Sequence, residues 1–126
     1  MSRNPLKHII THQAQTLEHD FIALTNTTTT WNDLQRRSIE IIEINIKRLI
    51  TIIEALPSHN EPLSHDIRHD LRNRLTVIIG YAQLMLHRRA GVLPIDGAVF
   101  LQKIIIMSAH INTAIDHDKY QAQNGQ

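Results

Sequence analysis

Residues 64–85 read SHDIRHDLRNRLTVIIGYAQLM. Apolar side chains recur in this stretch at intervals of three and four residues, which places them on one face of an α-helix. They are Leu71, Leu75, Ile78, Ala82 and Met85. A histidine followed by an acid, His69 and Asp70, lies outside this apolar face. The stretch therefore predicts an amphipathic helix that packs against other helices.

Three further segments have the same apolar spacing, so we predict an all-α fold of four helices. The first stripe is Ile10, Ala14, Leu17, Phe21 and Leu24. The second is Ile39, Ile42, Ile46, Leu49, Ile53 and Leu56. The fourth is Leu101, Ile104, Ile105, Ser108, Ile111 and Ile115. Helical hairpins that form a four-helix bundle through homodimerisation would bury these stripes, and a monomeric bundle of the same helices would bury similar surface.

Polar residues between the stripes set the expected helix ends. The predicted N-caps are Thr30 for the second helix, Ser58 or Asn60 for the third, and Asp96 for the fourth. We divide the chain into three parts. Residues 1–57 form an N-terminal helical hairpin or coiled-coil extension, residues 58–118 form a second hairpin, and residues 119–126 form a disordered tail.

Composition restricts the class of protein. The chain has 126 residues, a usual length for one domain, and a formal net charge of +1, which argues against a dedicated nucleic-acid surface. It has no cysteine, so disulfides and thiolate metal sites are excluded. We find neither a signal-peptide core nor an apolar run long enough to cross a bilayer, and we expect a cytoplasmic protein with no membrane partner.

The position of His69 relative to the apolar face decides whether the imidazole is available to react. His69 falls on the flank of the helix, with Asp70 and Asn73 also on the solvent side. A neutral imidazole is a competent nucleophile toward phosphorus. The pattern predicts a phosphate-accepting histidine, with Asn73 one turn away to orient a water molecule or a phosphoryl oxygen.

A specific motif supports this interpretation. It consists of His69, Asp70, Leu71, Arg72, Asn73 and Leu75, followed by the apolar run VIIGYAQLM. Through this motif residues 63–115 resemble the dimerisation and histidine-phosphotransfer domain of bacterial sensor histidine kinases. The match is specific over about twenty residues of the third helix and generic over the fourth. The chain is also similar to phosphotransferases of sporulating bacteria.

The resemblance implies a role for each motif residue. His69 would be the phosphorylation site, Asp70 the acid that assists transfer, and Asn73 the residue that helps a partner to hydrolyse its aspartyl phosphate. Arg74 departs from the family, which usually has a proline there, so we expect an unbent helix. The partner would be a response-regulator receiver domain that brings Mg²⁺, and a histidine kinase is a possible phosphate donor. We expect contacts to the partner from Arg68, Arg72 and Arg74.

Several alternatives remain open. The sequence has no glycine-rich phosphate loop and no ATP-binding domain, so we expect no autonomous kinase activity and no bound cofactor. The chain could be a non-catalytic mimic of the kinase hairpin that binds a receiver or a kinase, or a receiver phosphatase that uses Asn73. The HDLRN motif could also be a coincidence in a helical bundle. His65 and His69 are four residues apart, but two ligands without a third seldom bind a metal, and we predict no metal site.

Overall fold

A computed structural model describes the backbone of residues 3–124 and the side chains of residues 3–87 and 89–118. It contains four α-helices: α1 (Pro5–Thr25), α2 (Asp33–Glu54), α3 (His65–Leu86) and α4 (Ile95–Asn124). A short 3₁₀ turn, Arg88–Ala90, follows α3. These described residues include no β-strand, and the prediction of an all-α fold with four helices is confirmed.

The four helices close into a bundle within one chain. Each helix packs on the next one in sequence, and α4 packs on α1. The connections are short, so neighbouring helices run in opposite directions. Lys7 Nζ, for example, donates a hydrogen bond of 2.6 Å to the carbonyl of Leu56, which joins the start of α1 to the end of α2. The bundle therefore needs no second copy of the chain, and homodimerisation stays a prediction.

The predicted apolar stripes meet in a single core. Every member of the stripes on α1 and α3 is buried. On α2 and α4 the stripes are buried except for Ile39 and Ile105, which pack at the edge of the core. The hairpins that we divided at residue 57 contribute to the same core. Burial of each large aliphatic side chain stabilises the fold by roughly 1.5–3 kcal/mol.

The cap of α2 differs from the prediction of Thr30. Asn32 is the N-cap, and its Oδ1 accepts a hydrogen bond of 2.7 Å from the backbone N–H of Gln35. Gln35 Oε1 in turn accepts a hydrogen bond of 2.9 Å from the backbone N–H of Asn32. Asn32 Nδ2 also donates to the carbonyl of Ala90 at 2.7 Å. This contact with a distant turn favours Asn32 over a threonine that caps the helix alone.

The start of α3 was also predicted too early. Its N-cap is Ser64, and neither Ser58 nor Asn60 caps the helix. The segment before Ser64 is held instead by the N-cap residue of α1, because the backbone N–H of Asn4 donates to the carbonyl of Ser58 at 3.0 Å. The side chain of Asn4 also donates to the carbonyl of Pro57 at 2.9 Å.

Helix α4 is longer than the sequence predicted. It begins at Ile95, so Asp96 lies in its first turn and is not the N-cap. Residues 119–124, predicted as part of a disordered tail, continue the helix to Asn124. Residues 125–126 lie outside the described part of the chain.

Helix α4 also contains a long apolar segment. Within the described residues, its segment Ile95–Asp118 is the one helical segment with the length and composition of a membrane span, at a mean hydropathy of 1.4. This differs from our expectation that no segment is long and apolar enough. The inner face of α4 contributes Leu101, Ile104, Ile111 and Ile115 to the core. A core helix meets the same criteria, so the finding is weak evidence for a membrane span.

Candidate functional site

The packing of α3 decides which of its residues face solvent. Ser64 starts the helix by accepting a hydrogen bond of 3.2 Å from the backbone N–H of Ile67. Leu71 and Leu75 are completely buried and fix the rotation of the helix. The three predicted catalytic residues are therefore exposed; they are His69, Asp70 and Asn73. Helix α3 continues unbroken through Arg74, as expected for a position without proline.

His69 lies in a shallow groove on the surface of α3, which we call the His69 groove. Its volume is about 300 Å³. The lining residues are His65, Arg68, His69, Arg72, Asn73 and Thr76. They carry two guanidinium groups, two imidazoles, an amide and a hydroxyl, but no carboxylate. Such a surface is suited to an anionic group that accepts hydrogen bonds.

The ring of His65 lies parallel to the ring of His69. The two ring centroids are 6.2 Å apart and the planes differ by 4°. Both side chains come from successive turns of one helix, at positions i and i+4. Among the described residues no group of three or more His, Cys, Asp or Glu side chains is placed to hold a metal ion. The pair accordingly lacks a third protein ligand in this part of the chain.

Contacts within the chain hold both arginines of the His69 groove. Arg72 Nη1 lies 2.9 Å from Asp116 Oδ1, so this ion pair joins α3 to α4. Arg68 Nη2 donates a hydrogen bond of 3.2 Å to the carbonyl of Leu63, just before the helix. Arg68 Nε is buried and has no hydrogen-bond partner among the described residues. These contacts fix the positions of both guanidinium groups beside His69 before any partner arrives.

Asp70 belongs to a different surface. Its carboxylate lies 3.6 Å from Arg74 Nε, one turn along the helix. Among the described residues no ion pair or hydrogen bond joins it to His69. Asp70 and Arg74 line a second groove, the α2–α3 groove, of about 470 Å³. Its other lining residues are Lys47, Arg48, Thr51 and Ile52.

The structure therefore divides the six predicted site residues between two grooves. His69, Asn73, Arg68 and Arg72 meet in the His69 groove, whereas Asp70 and Arg74 do not reach it. The sequence prediction missed Thr76, although its position one turn beyond Arg72 could have suggested it. The α2 residues of the second groove, such as Arg48, could not be assigned from α3 alone.

Comparison of the chain with protein-family models, with curated proteins and with solved structures finds no match.

Proposed function

We propose that this chain is a histidine phosphotransfer module of a two-component signalling system. His69 would exchange a phosphoryl group with the aspartate of a response-regulator receiver domain. One observation carries the proposal: an exposed imidazole lies in a groove with two guanidinium groups and no carboxylate. Positive charge around a nucleophile attracts an anionic phosphoryl group and stabilises it during transfer.

The chemistry would use the exposed imidazole in its neutral form. A ring nitrogen of His69 donates its lone pair to phosphorus as the bond to the departing aspartyl oxygen breaks. The ring can then lose the proton on its other nitrogen to water. Arg68 and Arg72 would contact the phosphoryl oxygens, and the receiver would supply Mg²⁺. Transfer in the opposite direction uses the same contacts.

The expected partners follow from this role. A receiver domain would dock over the His69 groove, and a histidine kinase could supply the phosphoryl group, since the sequence contains no phosphate-binding loop of its own. We expect a cytoplasmic protein. A homodimer would have to use surfaces outside the core, because the apolar stripes are mostly covered by the four helices of one chain.

A second candidate function is a non-catalytic mimic that binds a receiver or a kinase. The orientation of Asp70 favours it, because the acid expected to assist transfer lies beside Arg74 and makes no hydrogen bond to His69. A receiver phosphatase is a related candidate, since the exposed amide of Asn73 lines the His69 groove and could orient a water molecule.

Phosphoryl transfer provides the direct test. The purified chain is incubated with a panel of radiolabelled, phosphorylated receiver domains, and acid-labile label on the chain is counted. The variant is His69→Gln. The matched control is His12→Gln, which alters an exposed histidine of α1 with another histidine, His8, four residues before it.

The three candidates predict different results. Label on the wild type and on His12→Gln, but not on His69→Gln, supports phosphotransfer. Equal label on His69→Gln contradicts it. Receiver binding without any label favours the mimic. The phosphatase is favoured if the chain causes the receiver to lose its phosphate and if Asn73→Ala stops this loss while binding persists.

A further inference from the structure

The α2–α3 groove collects positive charge from two helices. Lys47 and Arg48 come from α2, and Arg74 comes from α3. Asp70 is the one carboxylate among the six lining residues. Ile52 adds an apolar wall. At about 470 Å³ the groove is larger than the His69 groove, and it has room for more than a bare oxyanion.

Arg74 Nε lacks a hydrogen-bond acceptor among the described residues. The Arg74 side chain is only 21% exposed, and this nitrogen is buried. The nearest carboxylate oxygen, Asp70 Oδ1, lies 3.6 Å away, which is too long for a hydrogen bond. A buried charged donor without an acceptor is unfavourable. The Arg74 guanidinium is therefore only weakly paired within the chain, and a closer acceptor in the groove would stabilise it.

The other two cations are also available to a ligand. Lys47 Nζ lies 3.7 Å from Glu43, and both side chains are largely exposed, so this contact is weak. Arg48 is exposed and makes no ion pair with a described residue. Arginine forms paired hydrogen bonds with phosphate and carboxylate groups. Three cations in one groove favour a doubly charged phosphate over a single carboxylate.

We propose that the α2–α3 groove binds a phosphorylated small molecule and that this ligand releases Asp70 from Arg74. The phosphate would contact Arg74 and Arg48, and the apolar part of the ligand would lie against Ile52. The phosphate competes with the Asp70 carboxylate for the same guanidinium, because both are anions that accept from Arg74. Asp70, adjacent to His69 in sequence, then becomes free to change its rotamer.

This release would regulate the His69 groove, and that part of the inference rests on the proposed function. With Arg74 bound to a phosphate, the Asp70 carboxylate no longer has a cation beside it on its own helix. It can turn toward solvent at the edge of the His69 groove. The ligand would then change the rate of phosphoryl exchange at His69 without touching the histidine.

Binding is tested by two-dimensional ¹H–¹⁵N NMR with phenyl phosphate and, separately, with inorganic phosphate. We expect saturable shifts at the backbone amides of Thr51, Ile52 and Arg74. Phenyl phosphate should bind more tightly than inorganic phosphate, because its ring can contact Ile52. Shifts that never saturate, or that spread evenly over the surface, contradict the site. Equal affinity for the two ligands contradicts the apolar half of the proposal.

Variants test whether the ligand binds in the α2–α3 groove or to positive charge elsewhere on the surface. Arg74→Gln and Arg48→Gln should each weaken phenyl phosphate binding at least tenfold. Arg48 is exposed, so its variant stays informative even if Arg74→Gln fails to fold. The matched control is Arg37→Gln, an exposed arginine on α2 outside the groove. Equal weakening by Arg37→Gln would show that only general surface charge binds the ligand.

The failure of this inference can be told apart from failure of the proposed function. The affinity for phenyl phosphate measured at the amides of Thr51, Ile52 and Arg74 should be unchanged in His69→Gln, whether or not His69 accepts phosphate. If phenyl phosphate binds at the α2–α3 groove but the chain is never labelled, the ligand site is supported and phosphotransfer is contradicted. If the chain is labelled, and saturating phenyl phosphate leaves the rate of label exchange unchanged, the regulatory link is wrong.

Discussion

The two grooves beside α3 hold their arginines in different ways. In the His69 groove, Arg72 lies 2.9 Å from Asp116 and Arg68 donates to a backbone carbonyl. In the α2–α3 groove, Arg74 has only a carboxylate at 3.6 Å, and Arg48 makes no ion pair with a described residue. The first set of cations is positioned before a ligand arrives. The second set has longer and weaker contacts within the chain, and a bound phosphate would give it closer acceptors.

Removal of a core side chain from the helix that both grooves share should have the largest effect. Leu71 is completely buried and fixes the rotation of α3. Leu71→Ala should lower the free energy of unfolding by about 2–5 kcal/mol, because a cavity replaces packed side-chain atoms. Urea denaturation followed by circular dichroism measures the loss. The exposed Leu84 of the same helix is the control, and Leu84→Ala should cost far less. Equal losses would show that Leu71 is not a core residue.

Two single substitutions, one in each groove, compare the grooves directly. If phosphoryl transfer occurs at His69, Arg72→Gln should slow it by about tenfold or more, which corresponds to loss of one charge-assisted hydrogen bond. Arg74→Gln should have a smaller effect on transfer in the absence of small phosphorylated ligands, because Arg74 does not line the His69 groove. The rates are followed with labelled receiver. A larger effect of Arg74→Gln would mean either that the transferred phosphoryl group lies in the α2–α3 groove or that release of Asp70 from Arg74 alone controls the rate.

A substitution outside both grooves should stabilise the chain without changing either. Gly80 lies inside α3, and a Cβ at this position would meet no other atom within 4 Å. Gly80→Ala should raise the free energy of unfolding by about 0.8–1 kcal/mol, because alanine loses less backbone freedom on folding. Thermal denaturation measures the gain. Affinity for phenyl phosphate and transfer at His69 should not change, and a change in either would mean that motion of α3 matters to the grooves.

The smallest expected effect comes from removal of the ion pair between Arg72 and Asp116. Arg72 and Asp116 are each about half exposed, so Asp116→Asn should cost about 0.2–1 kcal/mol of stability. The difference from wild type should shrink in 1 M NaCl, because salt screens exposed ion pairs. Urea denaturation at two salt concentrations measures both values. A difference that does not respond to salt would mean that packing of α4, and not charge, is lost.

The sequence could predict features that depend on one helix, but not those that depend on contacts between distant segments. The stripes on α1 and α3 were predicted correctly because spacing within one helix determines its buried face. The cap of α2 was missed because several residues near Thr30 can cap a helix. The choice of Asn32 depends on its hydrogen bond to Ala90, which is 58 residues away.

The same limit applies to the candidate site. The exposure of His69 and Asn73 follows from the position of Leu71, so it could be predicted. The partner of Asp70 depends on a side-chain rotamer, although the i, i+4 spacing of Asp70 and Arg74 allows the contact that is observed. The contribution of Arg48 required knowing which helix packs beside α3.

The parallel rings of His65 and His69 provide an internal reporter. An aromatic ring shifts the NMR signals of protons that lie over its face, and the two centroids are only 6.2 Å apart. Any group attached to His69 would change the local magnetic environment of His65. The carbon-bound ring protons of His65 should therefore reveal the state of His69 in a one-dimensional spectrum, without radioactive phosphate and without acid treatment of the sample.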